Sequence, residues 1–196
     1  MTGRSATVHR KTKETEITVS LNLDGSGKSS INTGIGFFDH MLDAFARHGL
    51  FDLELNCKGD LNVDCHHSVE DAGIALGQAF KKALGDKAGI TRFGNCTLPM
   101  DETLVLCVVD ISGRPFCAAN LNLSSPKIGD MDSQAIYEFF YAFSYAAGLN
   151  LHFLQHRGEN SHHIAEACFK AFARALSAAV SIEPRVDGAW STKGSL

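Results

Sequence analysis

Twice in this chain a His-His-x-x-Glu pattern opens an apolar stretch of helical period. His66, His67 and Glu70 head HHSVEDAGIALGQAFKKAL, and His162, His163 and Glu166 head HHIAEACFKAFARAL. Residues three and four apart share a helix face, so a histidine and the glutamate of one copy can grip one ion together. The neighbouring histidine points about 100° away around the helix and is left for a second ion. An isolated His-His pair is ordinarily a surface or capping feature. Two copies in matched context, using four of the nine histidines, point instead to a paired metal site and to an enzyme.

The repetition extends beyond these motifs. Glu14 to Gly25 (ETEITVSLNLDG) reads as an alternating strand ending in a Gly turn, and Glu102 to Gly113 (ETLVLCVVDISG) has the same start, length and ending. Gly36 to Leu55 and Ala135 to Leu154 both read as an amphipathic helix closed by Gly-Leu and followed by a strand. Gly49 to Gly59 and Gly148 to Gly158 then cover equal lengths before each His-His helix. Each half thus reads strand, strand, helix, strand, helix, with further short strands around Lys28 to Asn32 and Phe116 to Leu121. The first repeat half covers residues 1–90, and residues 91–196 hold the second with a C-terminal tail that closes over substrate. A half of this size is small for independent stability, so the helices of one half are expected to pack on those of the other and cover two sheets. The expected class is α/β (α+β) by duplication, one compact catalytic unit, with an irregular tail from Ser181.

Composition bounds the partners. A hydrophobic content of 44% and a charged content of 20% are those of an ordinary globular protein. A net charge of −4 without a long basic run argues against nucleic acid. No stretch approaches the roughly 20 apolar residues of a membrane span, and the start of the chain has no signal-peptide core. The six cysteines show no C-x-x-C spacing and suit reduced thiols in the cytoplasm. Cys65 adjoins His66, but nitrogen and oxygen donors already surround it.

The two helix starts, with His40 on the preceding helix of the first half and Glu138 at the corresponding place in the second, give eight donors, four for each of two metals. Imidazole and carboxylate without thiolate suit Mn(II), Fe(II) or Zn(II), and open positions on a six-coordinate ion favour manganese. Arg92 in the central linker, Arg114 in the turn after a strand and Lys193 in the tail would together suit a phosphate-bearing substrate.

RKTKET (Arg10 to Thr15), GIGFFDHMLDAFARHGLFDL, GDLNVDCHHSVED, GITRFG, DISGRP, GENSHHIAEACFKAFARAL and STKG are spread over essentially the whole length of the chain. In these stretches the sequence closely resembles the imidazoleglycerol-phosphate dehydratase family of histidine biosynthesis, in its monofunctional form. The resemblance implies an internally duplicated ribosomal-protein-S5 domain-2-like fold, with helices sandwiched between two sheets. It also implies two Mn(II) ions per active site and a 24-subunit shell of identical chains whose sites lie between subunits. One ion would take His40, His67, Glu70 and His162, and the other His66, Glu138, His163 and Glu166. Substrate would meet Glu14, His40, His48, Arg92, Arg114, Ser191, Thr192 and Lys193, with Glu14 and Glu166 as acid/base residues and His152 nearby. The chain departs from the family pattern at Glu138, where many members have histidine, and at Cys65, where an acidic residue is usual.

The implied reaction is loss of water from D-erythro-imidazole glycerol phosphate to give imidazole acetol phosphate. The hydrogen on carbon 2 of the substrate has no adjacent carbonyl to acidify it. An imidazolate ring could supply electrons to expel the carbon 3 hydroxyl, forming a diazafulvene that makes this hydrogen acidic. Two other classes use part of the same inventory. A dinuclear hydrolase would share the metals and the phosphate clamp, and a metal-storage shell would need the ligands but not the basic residues.

Overall fold

The computed structural model describes residues 3–196. Two four-stranded sheets enclose a layer of four helices, and each sheet draws its strands from one half of the chain. In the first sheet β1 (Ser5–Lys11), β2 (Thr15–Asn22) and β4 (Asp52–Gly59) run antiparallel, and β3 (Ser29–Asn32) adds parallel to β4. The second sheet repeats this with β5 (Phe93–Met100), β6 (Thr103–Asp110), β10 (Asn150–Arg157) and β7 (Phe116–Asn120), the last again parallel. The strands alternate between inward apolar and outward side chains, as a sheet packed on one face requires.

The helices are α1 (Gly36–Gly49), α2 (His66–Leu84), α3 (Gln134–Ala147) and α4 (Ser161–Val180). They pack across the halves: α2 lies on β1 and β2 and against α3, while α4 lies on β5 and β6 and against α1. Phe38 and Phe45 of α1 meet Phe139, Phe143, Phe169 and Phe172 of α3 and α4 in one fully buried cluster. Each such ring contributes on the order of 1.5–3 kcal/mol, so neither half would keep its core alone. The expected α+β duplication with a helical layer between two sheets is the observed architecture.

The repeat register differs by one residue from the sequence alignment of Gly49 with Gly148. In α3 the left-handed cap is Gly148, but in α1 it is Leu50, at φ 58° and ψ 28°. Gly49 stays inside α1, where a Cβ would lie 2.5 Å from the ring of Phe51. Both helices hold fourteen residues, so His40 and Glu138 are each the fifth.

A short hairpin, β8 (Lys127–Ile128) with β9 (Met131–Asp132), had no signal in the sequence reading. It and its flanks tie down helix starts: Asp130 accepts from Gly36 N–H, Asp132 N–H donates to Cys65 Sγ at 3.4 Å, and Ser125 N–H donates to Ser161 Oγ. The tail beyond α4 is irregular apart from an isolated bridge between Ile90 and Ile182. Among the described residues no helix is long and apolar enough to cross a membrane.

Candidate metal centre and anion cavity

The first turns of α2 and α4 present the paired imidazoles. The Asn160 side chain caps α4 by accepting from the backbone N–H groups of His162 and His163, and Asp64 accepts from that of His66 at 2.7 Å. Such caps order the first turn. Within each pair the rings stand nearly perpendicular, at 83° and 87°. The two members of a pair therefore aim at different points.

Packing of α1 on α4 brings His40 to the α4 start. His40 Nε2 and His162 Nε2 lie 3.5 and 3.0 Å from the same oxygen of Glu166, Oε2. Ligand atoms of these three residues fall within 4.8 Å of one another. Two imidazoles and a carboxylate suit a divalent first-row ion. The other carboxylate oxygen takes an ion pair from Lys170 at 2.6 Å. Burial pushes the Glu166 carboxyl up, but Lys170 and His162 outweigh it and hold the group below the ordinary carboxylate range.

Among the described residues His66, His67, Glu70, Glu138 and His163 do not join this group. His66 faces Glu70 at 3.8 Å. Glu138 is half-buried and forms no hydrogen bond or ion pair among the described residues. The resemblance grouped Glu166 with His163 and Glu138. Within one chain it meets His40 and His162 instead, because His162 and Glu166, four apart, share a helix face.

Behind the second histidine of each pair stands a carboxylate, Asp60 for His67 and Glu102 for His163. The hydrogen bond that each histidine donates to its acid raises the pKa of that histidine, and Glu102 is held down to about 2, first by His163 and then by the backbone N–H of Asn160. Sequence reasoning missed Asp60, Glu102 and Lys170. A signal for Glu102 was present, since it occupies the repeat position of Glu14.

Glu14 is exposed on the β1–β2 turn, in a shallow cleft shared with Lys11, Lys13 and Asp60. His48 lies in the last turn of α1, where burial first, and then Lys170 and Arg174, lower its pKa. His152 is on the outward face of β10, away from the helices, its ring 5.4 Å from that of Phe116.

The remaining predicted residues meet in one place. Arg92, Arg114, Ser191, Thr192 and Lys193 line a single cavity of about 330 Å³ together with Trp190. Arg92 is largely committed, with Nε 2.7 Å from Asp110 and Nη1 donating to the Trp190 carbonyl at 3.0 Å. Among the described residues the Arg114 guanidinium donates only a long bond of 3.4 Å, to the Ser112 carbonyl. The arrangement offers a fixed arginine that anchors the tail and two freer cations, Arg114 and Lys193, suited to an anion.

Comparison with known proteins agrees with the motifs. The sequence model of the imidazoleglycerol-phosphate dehydratase family matches residues 33–176. Imidazoleglycerol-phosphate dehydratases of Lachnoclostridium phytofermentans and Gluconacetobacter diazotrophicus are each 58% identical to this chain, over 99% and 100% of it and 99% of their own lengths. The solved structure of the Staphylococcus aureus dehydratase superposes with a TM-score of 0.83 at 40% identity, covering 91% of this chain and 99% of that one. That of the Pyrococcus furiosus protein, in complex with (S)-C348, gives 0.83 at 39% identity, covering 96% and 100%.

Proposed function

Because the chain belongs to the imidazoleglycerol-phosphate dehydratase family, we propose that it is a carbon–oxygen lyase that removes water from D-erythro-imidazole glycerol phosphate in histidine biosynthesis. The observation that carries this reading is a nitrogen and carboxylate donor group, His40, His162 and Glu166, in the same chain as a separate basic cavity. The substrate has a matching pair of ends, an imidazole that coordinates metal and a phosphate dianion.

The full donor set is His40, His66, His67, Glu70, Glu138, His162, His163 and Glu166, holding two Mn(II) ions per active site. Bound manganese would supply Lewis acidity at the ring nitrogens and a template for the substrate. Arg114 and Lys193 bind the phosphate, Ser191 and Thr192 add hydroxyl donors, and Arg92 keeps the tail in place through Trp190. Once the substrate ring has lost its proton it can expel the carbon 3 hydroxyl and become a diazafulvene. A carboxylate then takes the acidified carbon 2 proton, and the enol ketonises. Glu14 and Glu166 carry these protons. In support, Glu14 is exposed on its turn, and Glu166 stands with His40 and His162 in the donor group.

Among the described residues one chain gathers only three donors, so we infer that complete sites form between subunits of a homo-oligomer, the 24-subunit shell. The exposed Phe93, Val108, Phe116 and Leu154 of the second sheet support such contacts. A cytoplasmic setting is supported by six free cysteines.

The test is turnover of imidazole glycerol phosphate by metal-stripped protein before and after manganese is restored. Imidazole acetol phosphate should form only with metal. Release of inorganic phosphate would instead mark a hydrolase, and full turnover without metal would contradict the proposal.

A further inference from the structure

The second histidine of each pair is held from behind. His67 Nδ1 lies 3.2 and 3.0 Å from the two carboxylate oxygens of Asp60, and His163 Nδ1 lies 2.7 Å from Glu102 Oε2. An ionised carboxylate accepts and cannot donate, so a neutral ring in either pair carries its proton on Nδ1 and presents a lone pair at Nε2. We propose that Asp60 and Glu102 are positioning residues that fix the tautomer and ring direction of His67 and His163, each for a different ion. The inference rests on the reading of these histidines as metal ligands.

The two acids come from different parts of the repeat. Asp60 follows β4 in the connection to α2, and its counterpart after β10 is Glu159. Glu102 immediately precedes β6, and its counterpart before β2 is Glu14. Each half therefore carries an acid at both places, and the halves use opposite ones to hold the imidazole. Glu102 is further fixed as acceptor from Thr103 Oγ1 at 3.1 Å and from the backbone N–H groups of Glu159 and Asn160 at 3.3 and 3.0 Å. The Glu14 carboxylate accepts no hydrogen bond among the described residues. Of two repeat-equivalent acids, one is committed to a histidine and the other is left open to substrate.

This division can be tested by titrating metal-free protein with manganese and following free Mn(II) by electron paramagnetic resonance. Asp60→Ala and Glu102→Ala should each weaken one of the two ions, by roughly 10- to 100-fold, and leave the other at wild-type affinity. Glu102→Gln keeps an acceptor for the backbone N–H groups and should weaken the same ion as Glu102→Ala. His67→Ala should remove the ion that Asp60→Ala weakens. Unchanged affinity for both ions in the acid variants, or equal weakening of both as from general loosening, would overturn the inference. If His67→Ala itself left both ions at wild-type affinity, the ligand reading would fail instead.

Discussion

Arg92 and Arg114 look interchangeable in the sequence, each a lone cation after a turn. The fold separates them. Arg92 is clamped to Asp110 and to the tail carbonyl of Trp190, whereas Arg114 keeps most of its donors free in the same cavity. Arg114→Ala should lose charge-assisted hydrogen bonds of roughly 1.5–3 kcal/mol, raising KM about ten- to hundredfold. Bound manganese should not change, because arginine is not a ligand; steady-state kinetics with parallel metal analysis check both halves of this expectation. Wild-type KM would put the phosphate elsewhere. At this scale the pairing of His162 with Glu166 was legible because helical spacing carries it. The pairing of Asp60 with His67 and of Glu102 with His163 was not, although the repeat position of Glu14 pointed to Glu102, since these acids reach their histidines across 7 and 61 residues of sequence and only the fold closes that distance.

The helices show what periodicity conveys and what it omits. The apolar faces of α1 and α3, and the start of each His-His helix, follow from pattern. The one-residue slip between halves does not, because it depends on Leu50 adopting the left-handed cap that Gly148 adopts in α3. The β8–β9 hairpin was silent for a related reason: two-residue strands have no measurable alternation. Close approach of α2 to α3 is set by Gly73 and Gly77. A Cβ at Gly77 would lie 2.7 Å from the Phe143 carbonyl oxygen and 2.9 Å from Ala146 Cβ. Gly77→Val should therefore overpack this contact and cost about 1–3 kcal/mol in urea unfolding of the metal-free chain. Gly36→Ala, whose Cβ meets nothing within 4 Å, should leave the midpoint near wild type. An unmoved midpoint for Gly77→Val would mean that α2 and α3 can separate freely.

Across the whole molecule the duplication has produced two like frames with unlike outer faces. Outward residues of the first sheet are polar, among them Thr7, Glu16, Thr18, Glu54 and Lys58, while the second exposes Phe93, Val108, Phe116 and Leu154. The architecture was legible because the repeat fixes both sheets and their shared helical layer. Of the eight proposed donors, one chain gathers three among the described residues. The most direct test of the two-metal dehydratase is elemental analysis of dialysed, manganese-reconstituted protein, assayed on the same samples. The account predicts close to two manganese ions per chain, with activity rising as they bind. Full activity at a stable metal content near zero would contradict it.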